Sequence, residues 1–227
     1  CSDHPRKGTA PVTSLLSLNR VSFSYLRAAP VVRDMTVEFH QGERAVILGA
    51  NGTGKSTLLS LLNGLVFAQQ GEVRAFGTVL SERALEDREF SREFRKKIAF
   101  VFQNPDVQLF SPTVGEDVAF GPLQLGLPRQ RVKHIVDELL ESLHIEDLRD
   151  RAPHTLSDGQ KKKVAIASSL ATDPEVLLMD EPTNGLDPRT QVWLIELLQN
   201  LHQKGKTIIT ATHDLAIAVD IAERAIV

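Results

Sequence analysis

Gly49-Ala50-Asn51-Gly52-Thr53-Gly54-Lys55-Ser56 follows the apolar run Ala45–Leu48 and precedes a stretch of helical pattern. It fits G-x-x-x-x-G-K-[ST], and a strand before it with a helix after it is the context that gives that pattern force. Glycines let backbone N–H groups turn inward and approach phosphate oxygens with no Cβ in the way. The N-terminus of the following helix adds about half a positive charge. Lys55 is placed to reach terminal phosphates, and the Ser56 hydroxyl to ligate Mg²⁺. Such a loop commits the chain to an α/β architecture around a nucleoside triphosphate. Gly49, Ala50, Asn51, Gly52, Thr53, Gly54, Lys55, Ser56 and Thr57 are the candidate binding residues.

Val176-Leu177-Leu178-Met179 is a second apolar run, and it ends in Asp180-Glu181. At the C-terminal edge of a strand beside the phosphate loop, Asp180 can hold Mg²⁺ and its water shell. Glu181 can face an attacking water as general base or orienter.

The remaining pattern fits a mostly parallel core. Leu15–Phe23 and Met35–Phe39 alternate apolar and polar residues and read as strands. Lys55–Asn63 reads as a helix, with Gly64 where a C-terminal cap belongs. Glu72–Phe76 and Ile98–Phe102 read as short strands. Ser81–Lys97 mixes acids and bases and is expected as an exposed helix and loop. No strand is expected from Asn104 to Asp150. There Thr113–Phe120 and Arg129–Leu143 carry helical periodicity, with Gly121-Pro122 and Leu127-Pro128 as breaks. Gly159–Ala171 reads as a helix and Glu175–Met179 as a buried strand. Pro188–Lys204 reads as a helix with Pro in its first turn. Thr207–Ala211 reads as a buried strand, followed by a helix from Asp214, and Ala225–Val227 as the start of another strand. Lys161–Lys163 is expected on a solvated helix face. The fold expected is a phosphate-loop NTPase core with a parallel sheet, an N-terminal antiparallel β edge and an all-helical subdomain. It forms one domain over 1–227, with 14–103 and 173–227 as the nucleotide core and 104–172 as the helical part.

Composition narrows the partners. The 227 residues, 42% hydrophobic and 24% charged, make an ordinary globular chain, one that buries roughly 70–75% of its unfolded surface. With 26 Lys+Arg against 29 Asp+Glu, net charge −3, no strongly basic nucleic-acid groove is indicated. No apolar run approaches the ~20 residues that span a bilayer, so a membrane role needs a partner. The single cysteine excludes an internal disulfide and fits a reducing compartment. Cys1 reads either as the lipidated first residue of a processed lipoprotein or as the place where this sequence starts. Pro5–Thr13 is expected to be frayed.

Leu156-Ser157-Asp158-Gly159-Gln160 stands just before a helix. Here the chain resembles the ATP-binding cassette (ABC) family, whose signature reads Leu-Ser-Gly-Gly-Gln. The resemblance runs from Leu15 to Val227, with the motifs in the family's order, and implies ATP and Mg²⁺ as cofactors. It implies that Tyr25 stacks on adenine, that Gln103 is the Q-loop glutamine near the metal, and that Asn184-Gly185-Leu186-Asp187 is the D-loop. His213 would be the switch histidine, acting with Glu181 and Gln103 in catalysis, and Ser56, Gln103 and Asp180 would serve the metal. On residue pattern alone, Tyr25 also reads as a strand-end aromatic, Gln103 as a turn residue and His213 as a helix-start residue. Ser157, Gly159 and Gln160 would close on a nucleotide held by a second ABC chain, in a homodimer or heterodimer. Asp158 departs from the family's glycine and puts the signature's anion contact in doubt.

Val114-Gly115-Glu116-Asp117-Val118-Ala119-Phe120-Gly121-Pro122 and Leu125-Gly126-Leu127-Pro128 look like the segment found in energy-coupling-factor ATPases. Phe23-Ser24-Tyr25, Gln103-Asn104-Pro105-Asp106 and Gln108-Leu109-Phe110 fit the same group. The resemblance implies a transport ATPase on the cytoplasmic face of the cell membrane. It would work with a transmembrane coupling subunit and a substrate-binding membrane subunit, and without nucleic acid. Within the group the cobalt/nickel branch is expected on overall similarity, with vitamin import or a soluble ABC ATPase on ribosome or DNA as alternatives. No His/Cys cluster here suits the transported ion, so its site is expected in another subunit.

Overall fold

The computed structural model describes residues 14–26 and 29–227. The readings made for Cys1 and for Pro5–Thr13 fall outside them. In chain order the strands are β1 (Ser14–Phe23), β2 (Val32–His40), β3 (Arg44–Leu48), β4 (Gln70–Ala75), β5 (Thr78–Val79), β6 (Ile98–Val101), β7 (Val176–Asp180), β8 (Thr207–Thr212) and β9 (Arg224–Ile226). The helices are α1 (Lys55–Leu62), α2 (Glu82–Glu86), α3 (Arg88–Lys97), α4 (Val114–Gln124), α5 (Arg129–Ser142), α6 (Asp158–Leu170), α7 (Pro188–Gln203) and α8 (Leu215–Ile221).

A parallel five-stranded sheet has the order β6-β7-β8-β3-β9. Its inner strands are covered on both faces, which is why they read as unbroken apolar runs. Every residue of β7 and of β8 is buried. The expected antiparallel layer is present as a sheet of its own, β2-β1-β4-β5, rather than as strands added to the parallel one. In β1 the buried residues are Leu15, Leu16, Leu18, Val21 and Phe23. The step of three between Leu18 and Val21 comes from a bulge where the register with β2 shifts and Arg20 adopts φ 49. The bulge returns Val21 to the inner face.

The span from 104 to 172 contains helices and turns and no strand. Its apolar residues, among them Val114, Val118, Val132, Val136, Leu140 and Val164, form one cluster. A second cluster lies under α1 and the antiparallel sheet, and a third joins β7 and β8 to α7 and α8.

Three expectations need correction. Gly121-Pro122 does not break its helix: α4 runs on to Gln124 with Pro122 inside. Val114, Val118 and Pro122 form one buried stripe of α4, and a Cβ on Gly121 would come 2.9 Å from Thr172 Cγ2. Close packing there outweighs the backbone bond that a proline removes. Ser81–Lys97 is not wholly exposed, because α3 buries Phe94 between the rings of Phe76 and Phe90. The Lys161–Lys163 run is not a solvated face: Lys162 is among the most buried side chains, at 2% exposure. Lys161 pairs with Asp106, and the Lys163 ammonium lies over the Trp193 ring.

Candidate active site

Three parallel strands deliver side chains at the same sheet edge. The chain leaves β3 into the 49–56 loop, leaves β7 at Asp180 and Glu181, and leaves β8 at Thr212 and His213. Crevices beyond the carboxyl ends of parallel strands are where open α/β sheets take their ligands. A cavity of about 400 Å³ opens there, lined by Val31, Asn51, Gly52, Gly54, Lys55, Ser56, Thr57, Gln103, Glu181, Asn184 and His213.

The loop's shape depends on its glycines. Gly54 adopts φ 97 and caps α1, and a Cβ there would lie 2.9 Å from the Val31 carbonyl oxygen. A Cβ on Gly49 would lie 2.8 Å from Thr53 Oγ1. No side chain caps the start of α1, so its first N–H groups are left for an anion. Lys55 is buried, and its Nζ donates to the carbonyls of Gly49 (2.8 Å) and Ala50 (3.1 Å). Gly49, Ala50 and Thr53 do not line this cavity but a neighbouring one, with Val32, Leu58 and Ile226, and Thr53 Oγ1 donates to the Ala50 carbonyl at 2.9 Å.

Glu181 is buried and held by three groups. His213 Nδ1 lies 2.9 Å from Oε1, Thr212 Oγ1 donates to Oε2 at 3.1 Å, and Lys55 Nζ lies 3.4 Å from Oε1. Its backbone sits at φ 42, an uncommon place for a residue with a side chain. The hydrogen bond from Glu181 N to the Ala211 carbonyl, 2.8 Å, fixes that geometry.

Asp180 is buried, and its Oδ1 has no hydrogen-bond partner among the described residues. Burial pushes its carboxyl above the usual carboxylate range, against a hydrogen bond from Ser56 that pulls the other way. Asp180 is absent from the cavity's wall, but its unpartnered, desolvated carboxylate oxygen beside the Ser56 hydroxyl, with the Gln103 amide in the wall, makes an all-oxygen donor set. It suits a small hard dication that keeps some of its waters.

Tyr25 stands beside the site rather than in its wall. Its ring meets Phe23 edge-on, 4.9 Å between centroids, and its hydroxyl lies 3.4 Å from Thr57 Oγ1. Ser157, Gly159 and Gln160 are not in this cavity. They line a separate one of about 910 Å³, with His144, Lys163, Asp187, Arg189 and Trp193 among its walls. Ser157 and Gln160 close a capping box, Ser157 N donating to Gln160 Oε1 (3.0 Å) and Gln160 N to Ser157 Oγ (3.4 Å). Asp158 is exposed and also lines a cleft with Gln103, Lys162, Asn184 and Gly185.

Sequence reasoning missed Val31 and Thr212, which carry no motif of their own, and Lys162. Burial pushes the Lys162 ammonium down to about 8, partly countered by the Asp180 charge.

The model of the ABC transporter family matches residues 32–184. The energy-coupling factor transporter ATP-binding protein EcfA of Methanothermobacter thermautotrophicus is 45% identical over 213 residues, covering 94% of this chain and 67% of that protein. The nickel import ATP-binding protein NikO of Rhodobacter capsulatus is 43% identical over 219 residues, covering 95% and 86%. Among solved structures, cbiO1 of Clostridium perfringens, part of the ABC transporter complex cbiONQ, superposes with TM-score 0.77 at 38% identity, covering 90% of this chain and 80% of that one. A dimeric ATP-binding cassette in a post-hydrolysis state with ADP and Pi superposes with TM-score 0.81 at 29% identity, covering 90% of each.

Proposed function

The chain belongs to the ABC transporter family, and from that premise we propose that it is the ATP-hydrolysing subunit of an energy-coupling-factor importer. One observation carries the reading: Lys55, Ser56, Gln103, Glu181 and His213 converge on one cavity at the C-terminal edge of the parallel sheet. The 49–56 loop and the open start of α1 bind the triphosphate, and Lys55 neutralises its terminal charge. Ser56, Asp180 and Gln103 would hold Mg²⁺, which would supply neutralisation of the phosphate charge when bound. Glu181 orients the attacking water and accepts its proton, with Thr212 and His213 fixing its carboxylate. Tyr25 offers its exposed face to the adenine.

The chain acts as one domain, with 14–103 and 173–227 holding the nucleotide and 104–172 carrying the signature. Ser157, Gly159 and Gln160 line a cavity of their own, which fits a role as lid over a nucleotide on a second ABC chain. Likeness to a dimeric cassette favours that arrangement. Among the described residues no helix is long and apolar enough to cross a membrane, so the importer's pathway belongs to a transmembrane coupling subunit and a substrate-binding subunit. The ATPase sits peripherally on the cytoplasmic face. Likeness to NikO and cbiO1 favours a transition metal, nickel or cobalt, over a vitamin as cargo. The test is phosphate release from Mg-ATP by the chain co-expressed with its neighbouring membrane genes, together with metal uptake. No phosphate release rejects the hydrolase, and hydrolysis with vitamin but no metal uptake rejects the cargo.

A further inference from the structure

Lysine is almost never fully buried without partners. Lys162 on α6 is buried, and its Nζ donates to the carbonyls of Phe102 (3.1 Å) and Gln103 (2.9 Å). Strand β6 ends at Val101, so these carbonyls lie beyond its ladder, at the corner where the chain passes into the helical segment. We propose that Lys162 is a positioning residue for Gln103: its ammonium bolts that corner to α6, making Gln103 and the signature motif one rigid piece. The inference rests on the ATPase reading above.

Other ties run in parallel. Phe102 N donates to Gln108 Oε1 (3.2 Å), while Gln108 Nε2 donates to the Ala165 carbonyl (2.9 Å) and to Ser169 Oγ (3.0 Å). Ser169 Oγ donates onward to the Phe100 carbonyl at 3.3 Å. Lys162, Ala165 and Ser169 are spaced i, i+3, i+7 and share one face of α6. That face is bonded along the end of β6 and the turn after it. The same helix starts with the capping box of Ser157 and Gln160. A shift of α6 toward a partner's nucleotide therefore carries Gln103 with it, and metal contact and lid closure become one movement. Lys162 itself is absent from the wall of the nucleotide cavity, so it acts through Gln103.

Lys162→Met keeps the stem and removes the donors. Amide hydrogen exchange should rise over residues 102–108 and stay at the wild-type level in α1 and β7. ATP turnover should fall about 10–100-fold, the usual cost of losing a group that orients a metal-site residue, with KM for ATP little changed. In a Gln103→Ala background Lys162→Met should cost nothing further, because both act through one group. Lys162→Arg, which keeps the donors, should restore part of the turnover. Unchanged exchange over 102–108, or losses that multiply in the double variant, would overturn the proposal. If Lys162→Met does not fold, Lys162→Leu, which also lacks a donor, carries the same comparison. A wild-type chain without turnover rejects the ATPase reading, while the exchange measurement still decides the bolt.

Discussion

Lys55 Nζ lies 3.4 Å from Glu181 Oε1, the same oxygen that faces His213 Nδ1 at 2.9 Å. The cation that is to grip the triphosphate and the carboxylate that is to act on water thus share one buried contact. Both lie beyond the carboxyl ends of parallel strands, Lys55 after β3 and Glu181 after β7.

Glu181→Gln keeps the shape and the bond to Thr212 but removes the base. Phosphate release should fall by about 10²–10⁴-fold, the usual range for such a group. ATP binding, followed by equilibrium titration with a fluorescent analogue, should persist. Near-normal release would remove Glu181 from the role.

Lys55→Ala should abolish the stabilisation that Mg-ATP gives the wild type. At a hundred times the dissociation constant that stabilisation is about 2.7 kcal/mol, a rise of roughly 5–10 °C in Tm for a chain of this size. Differential scanning fluorimetry reads both proteins. An equal shift in the variant would place the nucleotide elsewhere.

Asp180→Asn should raise the melting point of the protein without nucleotide or Mg²⁺, since a neutral amide costs less to bury than a carboxylate of the same shape. The sign with pH follows from the same burial. The folded carboxyl holds its proton more tightly than the ordinary value of 3.8, so the folded state binds more protons than the unfolded one. The penalty is full above the folded value and is relieved as pH falls toward 3.8. The variant should lose that segment of the pH–stability curve together with its response to Mg²⁺. A variant less stable than wild type under these conditions would contradict the account.

Asp158→Gly should raise ATP turnover of the assembled transporter, because a carboxylate at the signature repels the γ-phosphate it is to meet. The same change removes an acid from the first turn of α6, where it is worth about 0.3–1 kcal/mol. Faster turnover with a slightly lower Tm is the expected pair. Identical turnover would mean that Asp158 points away from the partner's nucleotide.

Much of this site was legible because its chemistry is local in sequence. The loop from Gly49 to Ser56 and the pair Asp180-Glu181 each follow a buried apolar run, so their place at a strand end could be read directly. What was illegible depends on distant partners. Lys162 sits in a run of three lysines and looks solvated; only carbonyls about sixty positions earlier in the chain show why it is buried. Thr212 looks like the last residue of a strand, and its bond to Glu181 comes from the neighbouring strand. Pro122 follows a glycine, the usual mark of a break, yet packing against α6 keeps the helix going. β5 is two residues long, too short for any periodicity.

Strand order also works as a gauge. β8 lies between β3 and β7, so the two loops that face each other across the crevice leave the sheet two strand spacings apart, about 10 Å. Adjacent strands would leave half that width, too little for a phosphate chain, its counter-ion and a water in line. The inserted strand sets the jaw opening before any side chain is chosen, and it contributes Thr212 and His213 at the midpoint of the gap.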